Sequence, residues 1–221
     1  MAVSYGPSLV TSGLVTLLDA SNPRSYTGAG TTINDLSGAG ATGTLNGAGG
    51  WVSNGAASYW NFATASISNY ISSVLAQNYL DCCLIFMPDF AVNNQAALVY
   101  TLGSGTSSDY TIRFNGANGV GPWAAANNNA NDWVYPTQLY YINGGIYTAS
   151  VNLPAGWNIY GSPRSNTSYG AFTAPFAYTW GTGYPGRYFQ GKLAYMALYN
   201  RKLSAVEQLQ NFNALRGRFG L

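Results

Sequence analysis

The sequence predicts an all-β sandwich of two antiparallel sheets closed by one short C-terminal helix, in a single domain spanning residues 1–221. Three observations carry the prediction. Strand-sized apolar segments recur every 8 to 15 residues or so, punctuated by Gly, Asn and Pro, which is the spacing of an all-β sandwich or barrel. Two of these segments, residues 82–87 (CCLIFM) and 193–198 (LAYMAL), are apolar at every position. Successive strand residues face opposite ways, so such strands are covered on both sides and lie inside their sheets. A helix start is signalled at Ser204-Ala-Val-Glu207, where the Ser hydroxyl and Glu carboxylate match the capping-box pattern.

Taken in order, residues 14–19 read as a strand ended by Asn22-Pro23, and a loop with Gly28 and Gly30 leads to the segment around Asp35. Thr44-Leu45 reads as a short strand, followed by Trp51-Val52 and residues 58–62. Residues 79–90 form the longest strand candidate. Residues 98–102 and 110–114 pair across Gly103-Ser-Gly105, and Asn115-Gly116 continues into Val120. Residues 138–142 and 146–151 flank Asn143-Gly-Gly145, a hairpin signal because its turn favours left-handed backbone. Residues 156–160 and 176–180 complete the set before the closing strand. In that strand Leu193, Tyr195, Ala197 and Tyr199 alternate with Ala194, Met196 and Leu198. In the helix, Val206, Leu209 and Phe212 form the apolar side, with Gly217 as the stop and Arg216 near the negative end.

Composition narrows the function. Charged residues make up 7% of the chain, against about 25% in an ordinary soluble domain, and polarity comes from Asn, Ser, Thr, Gly and 18 Tyr. A surface so poor in charge is weakly protected against association and is expected to be covered by partners. A net charge of +2 with scattered cations argues against nucleic acid. The apolar run at residues 82–87 is too short for a membrane span, and the opening residues lack the basic and apolar regions of a signal peptide. Assembly in the cytoplasm follows. Cys82 and Cys83 are adjacent, so they point to opposite faces and read as two buried thiols.

The absence of His excludes a Ser-His-Asp triad and imidazole metal sites. Glycoside hydrolysis needs two carboxylates across a cleft, about 5 to 9.5 Å apart. Glu207, the one Glu, is assigned to the helix cap, while Asp19 and Asp35 suit turn and side-chain capping roles. The protein is therefore expected not to be an enzyme. Calcium would need several carboxylates together, and Asp109 and Asp132 stand apart in polar loops, so no cofactor or metal is assigned.

Sugar binding uses aromatic rings for stacking and amides for hydroxyl groups. Trp123, Asn127, Asn129, Asp132, Trp133 and Tyr135 offer that mixture within one long loop. A second aromatic run contains Tyr178, Trp180 and Tyr184 around Pro175 and Pro185. The same rings suit the sandwich core or a protein interface, where Tyr and Trp are enriched. The C-terminal Arg216, Arg218 and Phe219 combine charge and apolar surface and read as an assembly anchor.

Residues 191–207 (GKLAYMALYNRKLSAVE) with 213–220 (NALRGRFG) resemble the closing segment of concanavalin A-like (laminin G-like) jelly-roll domains, particularly versions found in tailed-phage structural proteins. Residues 13–26 (GLVTLLDASNPRSY) and 34–38 (NDLSG) are similar to that family's opening segment. The resemblance implies a concanavalin A-like jelly roll. The E-x-D-x-x-E pattern of the family's glucanase members is not in this sequence. Two readings from different classes follow. One is a virion structural protein, a capsid decoration or cement subunit on the particle exterior or a tail or fibre component. Its partners would be its own copies, for instance as a trimer, and a major capsid or other virion protein. The other is a carbohydrate-binding module for host-surface glycans.

Overall fold

A computed structural model describes residues 7–47, 50–62, 70–75, 81–89, 97–102, 111–114, 123–127, 140–147, 151–163, 176–180, 182–184, 187–188 and 190–221. The first strands are β1 (Leu14–Asp19), β2 (Thr32–Asn34), β3 (Thr42–Asn46), β4 (Gly50–Val52), β5 (Tyr59–Phe62), β6 (Tyr70–Leu75), β7 (Asp81–Pro88), β8 (Ala97–Leu102) and β9 (Thr111–Phe114). There follow β10 (Trp123–Asn127), β11 (Tyr140–Ile142), β12 (Gly145–Tyr147), β13 (Val151–Asn152), β14 (Asn158–Pro163), β15 (Phe176–Trp180), β16 (Thr182–Tyr184), β17 (Arg187–Tyr188) and β18 (Gly191–Tyr199). Helix α1 (Ala205–Phe219) ends the chain.

The architecture is a β-sandwich. One sheet runs β12-β11-β14-β7-β18-β5-β4, and the other β13-β10-β9-β8-β15-β6-β3-β2. Pairing is antiparallel among the described residues except where Tyr188 of β17 meets Ala97 of β8. The length of β18 lets two strands share one of its edges: β5 pairs with residues 191–193 and β1 with residues 195–199. On the other edge lies β7.

The first sheet is covered twice, as the all-apolar strands require. Leu84 and Phe86 of β7, with Met196 and Leu198 of β18, face Ile33, Leu45 and Ile71 of the second sheet across the core. On the opposite side Cys83, Ile85, Tyr195 and Tyr199 pack against Leu203, Leu215 and Phe219. Cys82 and Cys83 are buried thiols on opposite sides of β7. Burial pushes the Cys83 thiol up to about 12.

Simple alternation fails at one point in β18. Leu193 pairs with Phe86 and Tyr195 with Ile85, so Ala194 is an extra residue in a bulge. Leu193 therefore joins Met196 and Leu198 in the core between the sheets, while Ala194 and Tyr195 lie together under the helix. The bulge also frees the Ala194 carbonyl to accept from the Ala20 N–H at 2.9 Å, just beyond the end of β1.

The hairpin at Asn143 forms as its sequence indicates. Asn143 (φ 50°) and Gly144 (φ 82°) both occupy the left-handed region that a two-residue turn requires. The Asn143 side chain also accepts from the Ile159 N–H at 2.8 Å, fixing the turn to β14.

Helix α1 starts as predicted but differs in extent and in its buried face. Ser204 accepts from the Glu207 N–H, and the Glu207 carboxylate accepts from the Ser204 N–H at 2.8 Å. Gly217 does not stop the helix, which continues to Phe219 and is capped by Gly220 in the left-handed conformation. The extra residues are held because Phe219 is buried against Trp157, with ring centroids 5.0 Å apart, and Arg218 is paired with Asp19. The buried residues are Gln208, Asn211, Leu215 and Phe219, whereas Val206 and Leu209 are 75% and 47% exposed. The expected apolar stripe points largely outward.

Candidate binding faces

The inward face of α1 is polar where it meets the first sheet. Asp81, fully buried at the start of β7, accepts from the Cys82 N–H (2.8 Å), the Leu203 N–H (2.8 Å) and Gln208 Nε2 (2.7 Å). Burial raises its pKa to about 7, against the lowering effect of those three donors and of nearby Lys202. Gln208 reaches Asp81 across Gly161, where a Cβ would lie 2.1 Å from the Gln208 side-chain oxygen. A second group of bonds joins Asn211 to the N-terminal stretch. Asn211 donates to the Tyr199 hydroxyl (3.1 Å) and accepts from the Val10 N–H (2.9 Å), and that hydroxyl donates to the Val10 carbonyl (3.1 Å). Sequence reasoning passed over this cluster. The signal available was an acidic residue opening a strand that is otherwise apolar.

With its polar side turned inward, α1 presents apolar side chains outward. Exposed Val206 and Leu209 lie beside Ile146 of the β11–β12 hairpin, itself 55% exposed. Between the helix and the hairpin is a cleft of about 170 Å³, with Phe212 on one wall and Ile159 and Cys83 among its lining. Phe212 sits so close to Gly144 that an added Cβ there would lie 2.9 Å from the ring. Among the described residues, no charged side chain lines the cleft.

The predicted sugar-binding residues fall only in part among the described residues. Asn129, Asp132, Trp133 and Tyr135 lie outside the described residues. Trp123 and Asn127 belong to strand β10, not to the long loop expected. They start and end a five-residue segment held in register by Phe114 to Thr111 of β9. Tyr178 and Trp180 stand on β15, and Tyr184 ends β16.

Register separates these groups. Trp180 pairs with Ile71 and Tyr178 with Ser73, and Ile71 is buried in the core between the sheets. Tyr178 and Trp180 thus hold positions on the inward side of the second sheet. Trp180 also pairs with Val99, and Val99 with Ile112, which pairs with Ala126. Trp123 and Asn127 stand three residues and one residue from Ala126 along β10, so their positions fall on the outward side.

The C-terminal basic residues also divide. Arg218 donates to both carboxylate oxygens of Asp19 (2.9 and 2.7 Å) and to the Ala56 carbonyl (2.9 Å). Phe219 is 8% exposed. These two hold the helix end to the sandwich and are not a free anchor. Arg216 is exposed, with its guanidinium 5.7 Å from the Phe212 ring centroid.

Several carboxylates are likewise committed to the fold. Asp35 accepts from the Leu17 N–H (2.7 Å) and the Ser37 N–H (3.0 Å), and Asp19 from the Ser21 N–H (2.9 Å) as well as Arg218. Glu207 accepts from Arg201 (3.0 Å) and the Ser204 N–H, which hold its carboxyl down to about 2. Among the described residues no group of three or more acidic or thiol side chains could hold a metal ion, and no helix is long and apolar enough to cross a membrane.

No family model matches the chain, and no curated protein matches it. Solved structures are similar in fold. One is Trypanosoma rangeli sialidase in complex with sialic acid, with a TM-score of 0.54 and 13% identity over 96% of this chain and 36% of that chain. Another is the crystal structure of a receptor binding domain, with a TM-score of 0.55 and 11% identity over 93% of this chain and 52% of that chain. The chain thus spans about a third of the sialidase and about half of the receptor-binding chain. Likeness at this level of identity establishes the sandwich fold.

Proposed function

We propose that this is a non-enzymatic virion domain of the concanavalin A-like (laminin G-like) kind, assembled in the host cytoplasm and displayed on the particle exterior as a capsid decoration or cement subunit. The observation that carries the reading is the outward face of α1. Val206 and Leu209, beside Ile146 and an uncharged cleft, form an exposed apolar strip on a chain with 7% charged residues. Apolar strips rimmed by polar surface mark protein contacts, and low charge removes the repulsion that keeps monomers apart. The partners are its own copies and a major capsid or other virion protein. The commitment of Asp19, Asp35, Asp81 and Glu207 to internal bonds supports a non-catalytic role.

Sedimentation velocity and particle binding test the reading. The wild-type chain should self-associate or sediment with purified particles, and Val206→Glu/Leu209→Glu should stay free with an unchanged melting temperature. A wild-type chain that is monomeric at high concentration and absent from particles would sink it.

A second reading is a carbohydrate-binding module for host-surface glycans. It is supported by two of the solved neighbours, a sialidase holding sialic acid and a receptor binding domain. The outward face of the second sheet, where Trp123 and Asn127 have their positions, is the surface to which it applies.

A further inference from the structure

We propose that the cleft between α1 and the β11–β12 hairpin is an anchor pocket for one large apolar side chain of a partner protein, carried on a segment whose neighbouring carboxylate pairs with Arg216. This rests on the reading of the outward side of α1 as a protein contact and names what the partner brings to it.

One row of the helix builds the cleft. Ala205, Leu209 and Phe212 line it at spacings of four and three, which set them one above the other. The next position on that row is Arg216. Helical side chains lean toward the N-terminus, and the Arg216 guanidinium accordingly sits over Phe212, 5.7 Å from the ring centroid. That places it nearly two turns before the helix ends at Phe219, so an anion meeting it is clear of the helix's negative end. Across the cleft stands the hairpin with Ile146, and Cys83 and Ile159 line it from the first sheet.

Size decides between a small ligand and a protein segment. At about 170 Å³ the cleft is close to the cavity of about 150 Å³ that holds one benzene ring, and below the range of about 300–1,000 Å³ for small-molecule sites. It takes one side chain the size of Leu or Phe. Its rim agrees, because a small ligand inside would leave exposed Val206, Leu209 and Ile146 in water, whereas a segment crossing the cleft covers them. An anchor in a pocket ringed by such contacts is the usual centre of a protein interface.

Charge selects the partner. Arg201 is paired with Glu207 and Arg218 with Asp19, but among the described residues no carboxylate pairs with Arg216. Exposed Lys202 stands two residues before the helix cap, so cations flank the apolar strip at both ends. Asp19, Asp35, Asp81 and Glu207 are spent inside the fold, so a second copy would bring none of these four to the cleft. Of the partners proposed above, the cleft suits a different protein with an acidic residue beside its apolar anchor.

The test is selection of displayed random peptides on the immobilised whole chain, followed by fluorescence anisotropy of the enriched peptides carrying a fluorescein label. Wild-type protein should enrich peptides with one Leu, Ile, Phe or Trp and an Asp or Glu within about four residues of it. Changing that acid to its amide, or Arg216→Ala, should each weaken binding about fivefold, and both together no further than either alone. Arg216→Glu should turn the preference toward peptides with Lys or Arg in place of the acid. Leu209→Glu should abolish binding at an unchanged melting temperature. If peptides with and without the acid bind equally, or Arg216→Glu changes nothing, the acidic partner is refuted. Particle binding that Val206→Glu/Leu209→Glu removes would then leave the protein-contact reading standing. Self-association lost in the same double variant would give the cleft to a second copy and likewise overturn the inference. A lowered melting temperature for Leu209→Glu would mean that the chain itself covers the strip, and both readings would fall.

Discussion

Replacing Asp81 by Asn tests how α1 is attached to the sandwich. The carboxylate is buried and satisfied by three donors from β7, the loop before α1 and α1 itself. Burial outweighs those donors and lifts its pKa from 3.8 to about 7. The unfolded chain releases this proton near pH 4, and the folded protein holds it until about pH 7. Between those values the folded state binds more protons than the unfolded state, so the stability gained from this group is present at low pH and is lost as pH rises to 7. At about 1.4 kcal/mol per pH unit, the difference amounts to about 4 kcal/mol across the window. Asp81→Asn cannot titrate and should remove this slope, while costing about 1–3 kcal/mol at low pH because one buried donor loses its acceptor. Urea unfolding of both proteins from pH 4 to 8 is the assay. The wild-type advantage should shrink as pH rises. A constant difference would show that Asp81 is ionised throughout and that its donors outweigh burial.

Two further outcomes concern the helix. Ser204→Ala removes the acceptor for the Glu207 N–H and should lower stability by about 1 kcal/mol in thermal or denaturant unfolding, since caps contribute about 0.5–2 kcal/mol. An unchanged midpoint would mean that the Arg201–Glu207 pair holds the helix start without it. Arg218→Ala should cost more, about 2–4 kcal/mol, because it leaves the nearly buried Asp19 carboxylate without its charged partner. Arg218→Lys should restore only part of that loss, because an ammonium group cannot reproduce the two-pronged contact.

Where the chain's own pattern decides the outcome, the sequence was readable. Residues 82–87 and 193–198 are apolar on both sides, and the structure covers them on both sides. Asn143-Gly144 needs left-handed backbone at two consecutive positions, and few residue pairs supply it. Where a distant partner decides, the pattern misleads. Gln208 and Asn211 fall outside the predicted apolar side of Val206, Leu209 and Phe212, and nothing in α1 announces Asp81, 127 residues earlier, or Val10, 201 residues from Asn211. The Ala194 bulge shifts one residue of an all-apolar strand between faces, and an all-apolar pattern contains no mark for it.

The orientation of α1 joins the fold to its proposed use. A helix rotated to bury Val206 and Leu209 would gain about 1.5–3 kcal/mol for each aliphatic side chain removed from water. The same rotation would pull Gln208 from Asp81 and Asn211 from Val10 and Tyr199, leaving polar groups unpaired in the interior. Each such group costs about 1–3 kcal/mol, and more where it is a carboxylate. The polar attachments therefore offset the forgone apolar burial and fix which side of the helix meets solvent. They also reach the helix through glycine at Gly161, where any side chain would displace Gln208. An exposed apolar strip is a liability for a free monomer, but here it is held outward by the bonds of Gln208 and Asn211 to Asp81, Tyr199 and Val10. That is the arrangement expected of a surface whose proposed partner is another protein.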